Sequence, residues 1–239
     1  MPLVDPIIMS TTLAKGAAAQ AQAQVAFSKT APVSPATTLR PVQIRPTPLA
    51  QATRPRAPAL LAVLFIARFR PLVTDPVSAM ATALPFVAAL QVAYRRGRVR
   101  TRVRPNAVAT SLLSLVLSLL VSPFLYAAMI LFGAPFLTHS AHTFLCAAHL
   151  AVLTLLPLFF VHGVDGSAWA VVGSFSAPLD ETFGGLLGGM VGAWLGAVPI
   201  PLDWDREWQR WPVTILCGLY GGYVLGRVVG GTLVWGKSF

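Results

Sequence analysis

The sequence predicts an all-α polytopic membrane protein, a bundle of about six transmembrane helices that includes a glycine-rich C-terminal helical hairpin. Three observations carry that prediction. Of 239 residues, 55% are hydrophobic and only 11% charged, with a mean hydropathy of +0.68, whereas soluble domains carry about 25% charged residues. The charges are gathered: of 18 Lys and Arg residues, six lie between Lys15 and Arg56 and six between Arg95 and Arg104. Apolar stretches long enough to cross about 30 Å of hydrocarbon at 1.5 Å per residue recur along the remainder. The net charge of +10 therefore belongs to a tail and a loop rather than to a basic face on a globule. Modules that read nucleic acid need a soluble scaffold, so no nucleic-acid partner is expected.

Residues 1–56 are rich in Ala, Gln, Pro, Ser and Thr, and Pro32, Pro35, Pro41, Pro46, Pro48 and Pro55 interrupt any helix there. This segment is expected to be a disordered cytosolic tail, with 57–239 the transmembrane helical domain. The start, Met1-Pro2-Leu3-Val4-Asp5, has neither a charged n-region nor a following apolar h-region, so the first span is expected to do the targeting. Spans are predicted at about 57–73, 76–94, 107–132, 141–161, 183–199 and 212–235. The first is weakened by Arg68 and Arg70, whose long side chains can snorkel to the interface. The third is uncharged throughout, and the last is interrupted by Arg227. Cys146 and Cys217 both sit in apolar runs, which excludes a disulfide framework or a cysteine-based zinc site.

Six spans place both termini on one side. That side then holds the six basic residues of the tail, Arg95, Arg96, Arg98, Arg100, Arg102 and Arg104 of the second loop, and Lys237, thirteen in all. The other side holds Arg68, Arg70, Arg206 and Arg210. The positive-inside rule makes the thirteen cytosolic and the arginine loop a topology-setting anchor beside anionic headgroups. Specific binding of membrane lipids by that loop is the sharper alternative.

Two glycine rows mark the last two spans: Gly184, Gly188, Gly192 and Gly196, then Gly218, Gly222, Gly226 and Gly230. A spacing of four keeps each row on nearly one helix face, and missing side chains let another backbone approach closely. The rows pack on each other, or one of them, or Gly185 and Gly189, faces a separate membrane protein. Between the rows, Asp203, Trp204, Asp205, Arg206, Glu207, Trp208, Gln209 and Arg210, followed by Trp211, put three acids and two arginines into eight residues. Trp204, Trp208 and Trp211 at i, i+4 and i+7 predict a short interfacial helix with Asp203 as N-cap and Asp203/Arg206 and Glu207/Arg210 as ion pairs. It serves as an aromatic-belt anchor or as a partner-binding surface.

The histidines do not spell out a metal site. His139 and His142 lie at the entry of the fourth span, and His162 and Asp165 at its exit, about 30 Å away along the helix. His142 and His149 at i, i+7 are about 10 Å apart, too far to share one ion unaided. A lumenal grouping of Asp75, His139, His142, Asp203 and Asp205 is compatible with the topology but has no catalytic spacing, and polar helix ends explain it equally.

Beyond composition, His139-Ser140-Ala141-His142-Thr143, Leu156-Pro157, His162-Gly163-Val164-Asp165, Trp169, Gly184-Gly185 and the run from Gly192 through Ala193, Trp194, Pro199, Pro201 and Asp203 to Arg206, with Trp208-Gln209 and Trp211-Pro212, resemble the PIG-F family. The resemblance covers about residues 135–231; Asp75-Pro76, Leu84-Pro85 and Gln91 with Tyr94 are similar less specifically. It implies the small, multi-spanning, non-catalytic subunit of the ethanolamine phosphate transferases that build the glycosylphosphatidylinositol (GPI) anchor in the endoplasmic reticulum. Its implied partners are the catalytic subunits PIG-O and PIG-G, whose metal-dependent sites are lumenal. No catalytic residue, metal or cofactor is then expected on this chain. Its longest lumenal connection, about a dozen residues, is in any case too short to fold a two-metal domain. Two other classes stay open: an enzyme working on a phospholipid or glycolipid headgroup through the Asp/His grouping, and a lipid transporter. Transport paths are usually marked by intramembrane charges, here almost absent apart from Arg227.

The charge asymmetry makes a direct prediction. Glycosylation acceptor sequences inserted after Pro201 should be modified, and those inserted between Arg98 and Pro105 should not; the reverse pattern would overturn the orientation.

Overall fold

The computed structural model describes residues 39–42, 56–98, 106–202 and 204–237. Within them the chain forms α1 (Arg56–Thr74), α2 (Pro76–Arg98), α3 (Ala107–Leu131), α4 (Ser140–His162), the short α5 (Gly166–Gly173), α6 (Glu181–Ala197) and α7 (Val213–Thr232). All but α5 are long and apolar enough to cross a membrane, and no strand occurs among the described residues. The second helix runs four residues past the predicted end at 94. No Gly or Pro lies between Tyr94 and Gly97, so Arg95 and Arg96 belong to α2 and not to a loop. The fifth span, α6, ends at Ala197, two residues early: Pro199 has no N–H for the Leu195 carbonyl, which Val198 takes instead. The α5 turn was not anticipated; Asp165 caps it, accepting from the Ser167 amide at 3.0 Å and hydroxyl at 2.7 Å.

Only Asp75 separates α1 from α2, and its side chain accepts from the Ser78 amide at 3.2 Å to start the second helix. The two form a hairpin in which Arg68 reaches back to donate to the Thr82 hydroxyl at 3.2 Å. At the centre of the bundle stands α4, with 83% of its span buried against 17% for α3. Leu61, Met80, Val87, Cys146, Leu153, Leu156, Leu216 and Leu219 form the main core around it. Pro157 has no N–H to offer the Leu153 carbonyl, and the helix widens to a π-turn over Ala151–Leu155 just before it. Gln91 on α2 donates to that same carbonyl at 3.4 Å.

The buried face of α3 is polar and small. Ser111, Ser114, Ser118 and Ser122 are buried, each returning its hydroxyl to the carbonyl four residues back at 2.6 to 3.2 Å. Leu112, Val116, Leu120 and Phe124 of the same helix point outward. This inverts the pattern of a soluble bundle, because hydrocarbon gives leucine no reason to leave the surface and close backbone approach is what holds helices together.

The eight glycines of α6 and α7 face one another in antiparallel order. A Cβ on Gly192 would collide with the Gly218 carbonyl, one on Gly188 with that of Gly222, and one on Gly184 with that of Gly226. Gly196 meets Thr214 and Gly230 meets Asp180 in the same way. Gly185 and Gly189 face Tyr223, Arg227 and Thr154 inside the bundle. Neither row, nor the extra glycines, is turned outward toward a separate protein.

Of the tail expected to lack structure, residues 39–42 are described and packed. Val42 is buried with Phe160 and Val161, and its amide donates to Asp180 Oδ2 at 3.0 Å. Arg56, the last residue of that tail, begins α1; the tail's remaining residues lie outside the described residues, as do Arg100, Arg102 and Arg104 and the side chain of Arg98.

The glycine interface predicts opposite signs for the same substitution. Gly192→Ala or Gly222→Ala should destabilise by about 1–3 kcal/mol, since backbone must shift to admit the methyl group. Gly221→Ala, which meets nothing within 4 Å, should stabilise by up to about 1 kcal/mol through helix propensity. Thermal unfolding of the full-length chain in detergent checks both, and equal effects at the three positions would refute the interface.

Candidate functional site

One end of the bundle carries the α1–α2 turn, the α3–α4 connection and the segment joining α6 to α7. In that last segment the predicted amphipathic helix does not form. There are two short 3-10 turns, Ile200–Leu202 and Glu207–Gln209, with irregular chain between. Arg206 and Arg210 take non-helical backbone (ψ 136 and 138), and Asp205 is left-handed (φ +49), which aspartate tolerates better than most residues. The tryptophans therefore do not share a face. Trp204 is 55% exposed and stacks obliquely on Trp208 with ring centroids 5.8 Å apart. Trp211 turns inward, donating its indole N–H to the Thr143 hydroxyl at 3.0 Å.

Two polar contacts hold this segment in shape. Gln209 donates to the Pro199 carbonyl at 2.8 Å and accepts from the Arg206 amide at 3.2 Å, closing the loop on itself. Thr143, which receives Trp211, donates in turn to the Pro135 carbonyl at 2.9 Å, so the loop is tied to the start of α4. The Glu207–Arg210 pair forms at 2.9 Å, but both side chains are exposed and such pairs contribute under about 1 kcal/mol. Asp203, and with it the expected Asp203/Arg206 pair, lies outside the described residues. What remains is a fixed platform presenting Trp204, Asp205, Arg206 and Glu207 outward.

At the same end, His139 and His142 meet edge to face with centroids 4.9 Å apart, and His139 Nδ1 is 2.9 Å from the Thr138 hydroxyl. Among the described residues no three His, Cys, Asp or Glu side chains come close enough to hold one metal ion. His149 lies deeper and is engaged on both nitrogens. The Met80 carbonyl, 3.1 Å from Nε2, can only accept, so Nε2 carries a proton; the neutral ring then accepts from the Tyr220 hydroxyl at Nδ1, 2.7 Å away. On the far side of the bundle, the Ser167 hydroxyl and amide hold the exposed Asp165 carboxyl below the usual carboxylate range.

Toward that far end a second polar group is sealed between α2, α6 and α7. Gln91 donates to the Tyr223 hydroxyl at 2.7 Å, Tyr94 donates to Glu181 Oε2 at 3.1 Å, and Arg95 donates through Nη1 to the Thr182 hydroxyl at 2.7 Å. Arg227 lies over the Tyr94 ring at 4.4 Å, donates to the Tyr223 hydroxyl at 3.3 Å, and has Glu181 at 3.6 Å. Sequence reasoning placed Arg95 in a topological anchor and saw Arg227 only as an interruption. The structure brings the two arginines into one cluster, which no spacing along the chain displays. The α3 serine row was legible, since Ser114, Ser118 and Ser122 recur every four residues, and was passed over for the more conspicuous glycines.

Residues 56–231 match the family described as "GPI biosynthesis protein family Pig-F". A Neurospora crassa protein named "Glycosylphosphatidylinositol anchor biosynthesis protein 11" is 57% identical over 275 residues, covering 100% of both chains. A protein of the same name from Aspergillus fumigatus is 40% identical over 79% of this chain and 82% of its own. The human "GPI ethanolamine phosphate transferase, stabilizing subunit" is 39% identical over 42% of this chain and 48% of its own. No solved structure matches.

The closed loop predicts that Gln209→Ala frees its outer edge without loosening the bundle. Trypsin should then cut after Arg206 or Arg210 several-fold faster in the folded protein, while thermal unfolding shifts by no more than the roughly 1 kcal/mol of a hydrogen bond.

Proposed function

The chain belongs to the Pig-F family of GPI biosynthesis proteins, and from that premise we propose that it is a stabilising, non-catalytic subunit of an ethanolamine phosphate transferase complex. The human relative's name states that role for the human protein. Its proposed partners are the catalytic membrane subunits PIG-O and PIG-G. Its proposed location is the endoplasmic reticulum membrane, with both termini cytosolic and the segment 203–211 in the lumen. The orientation is supported by the thirteen-to-four distribution of basic residues.

The observation that carries this reading is the platform between α6 and α7. Its polar and aromatic groups diverge: Trp204, Asp205, Arg206 and Glu207 are exposed and point away from the bundle, while Gln209 and Trp211 fix the backbone beneath them. A reacting centre needs groups that converge on one atom. Divergent charges around an exposed tryptophan suit a protein contact, in which an aromatic anchor contributes most and rim charges less.

The substitutions that separate a contact surface from a catalytic one are Trp204→Ala, Asp205→Ala and Asp205→Asn. As a contact, Trp204→Ala should cost about 2 kcal/mol or more of complex stability and Asp205→Ala about 1 kcal/mol. Less catalytic subunit should co-purify, and precursor lacking the ethanolamine phosphate should accumulate. Complex yield and transferase rate are measured on the same preparations. A normal yield with a lost rate for Asp205→Asn would sink the contact reading in favour of an enzyme using the Asp/His grouping.

A further inference from the structure

Arg95 and Arg96 stand side by side at the end of α2 and behave oppositely. Arg96 is exposed, as an arginine at a membrane boundary ordinarily is, its stem in hydrocarbon and its head in water. Arg95 is 1% exposed and turned into the bundle. Its Nη1 donates to the Thr182 hydroxyl, and the Tyr223 hydroxyl also lies beside the guanidinium. Nε and Nη2, the two nitrogens of its side-on edge, have no hydrogen-bond partner among the described residues. Those two N–H groups point in parallel and form the fork that fits two oxygens of a carboxylate or phosphate.

The surroundings supply the rest of an anion site. Arg227 is also buried, and its Nη2 has no hydrogen-bond partner among the described residues, Glu181 lying 3.6 Å away as an ion-pair partner. Arg95 feels the charge of both Arg227 and Glu181. Among the described residues these two guanidiniums hold three nitrogens out of water without a hydrogen bond, a costly arrangement unless an acceptor completes it. The depth also fits. Arg95 and Thr182 lie at helix ends, and Arg227 is five residues before the end of α7, about 8 Å inward. That is the level at which a phospholipid carries its phosphate.

We propose that Arg95, together with Arg227, forms a binding site for a phosphate oxyanion, supplied by the headgroup of a membrane phospholipid at the end of the bundle opposite the Trp204 platform. A phosphodiester carries one negative charge and two free oxygens, which suit these unpaired donors. This site is separate from the proposed subunit contact, and its test reads lipid binding by the chain itself.

The full-length protein is purified in dodecyl maltoside, which contains no phosphate, and its thermal unfolding is followed as three probes are added. Phosphatidylinositol offers chains and phosphate, diacylglycerol offers chains alone, and inorganic phosphate offers the anion alone. Phosphatidylinositol should stabilise the protein, and diacylglycerol should not. Arg95→Gln should need at least ten-fold more phosphatidylinositol for the same shift, and Arg95→Lys, which keeps the charge but loses the fork, should fall between. Arg70→Gln, which removes the same charge from the opposite end, should respond as the unaltered protein does. If Arg95→Gln does not fold, Arg95→Lys takes its place in the comparison. A full shift with inorganic phosphate alone supports the phosphate site and assigns soluble phosphate as its source. Equal responses to phosphatidylinositol and diacylglycerol, or an unchanged response in the Arg95 variants, would overturn the proposal.

Discussion

The contact between α6 and α7 is the constraint on which the rest of the structure depends. Eight glycines on two antiparallel helices bring backbone against backbone along the whole length of both spans. In hydrocarbon this close approach replaces the hydrophobic effect, since lipid chains are as apolar as leucine and give helices no reason to associate through large side chains. Because each glycine of one row is seated against the backbone of the other, sliding or rotating either helix would set Cα and carbonyl atoms against each other. The hairpin is therefore rigid. Its closed end holds the Trp204 platform at a fixed height, and its open end brings Glu181 and Thr182 alongside Arg227.

The same hydrocarbon environment accounts for how the other helices spend their polar groups. With no water to accept an orphan donor or acceptor, each must be met inside the bundle. The α3 serines return their hydroxyls to their own helix and so leave a smooth, narrow face for packing. Gln91 serves the carbonyl that Pro157 leaves without a helical donor, and His149 is matched at both nitrogens. Gln91 Oε1, Thr214 Oγ1 and Arg227 Nη2 are also buried without a hydrogen-bond partner, but Arg95 leaves two donors of one cation unmet, which packing alone does not explain.

The spans were legible because transmembrane helices are written in composition: 20 or so residues without charge admit almost no other fold. The glycine rows were legible too, and antiparallel facing follows once a short connection joins them. What failed was the reading of local periodicity in the α6–α7 segment. An i, i+4, i+7 tryptophan pattern argues for a helix only if the backbone can continue one, and the left-handed Asp205 and the extended Arg206 interrupt it. The arginine cluster failed differently. Arg95 lies at the end of one helix and Arg227 near the end of another, 132 positions later, and a charge count assigns the first to topology and leaves the second as an interruption of a span. Nothing in the chain's linear order distinguishes Arg95, which turns inward, from Arg96, which does not.

The two ends of the bundle place charge in opposite ways, and this bears on what each can do. At the platform end, Asp205, Arg206 and Glu207 are hydrated and spread over a fixed loop, so their electrostatic contribution to binding is weak until a partner surface excludes water from them. Such a surface gains affinity only against a complementary protein, and gains little from a small molecule that leaves most of it wet. At the far end, Arg95 and Arg227 are buried in one cluster with Tyr94, Glu181 and Thr182, so the desolvation cost has been met during folding. A group of that kind gains from one compact anion and could not accommodate a protein surface. Divergent, hydrated charge at one end and convergent, buried charge at the other thus suit the bundle to hold a protein partner on one side of the membrane and a lipid phosphate on the other.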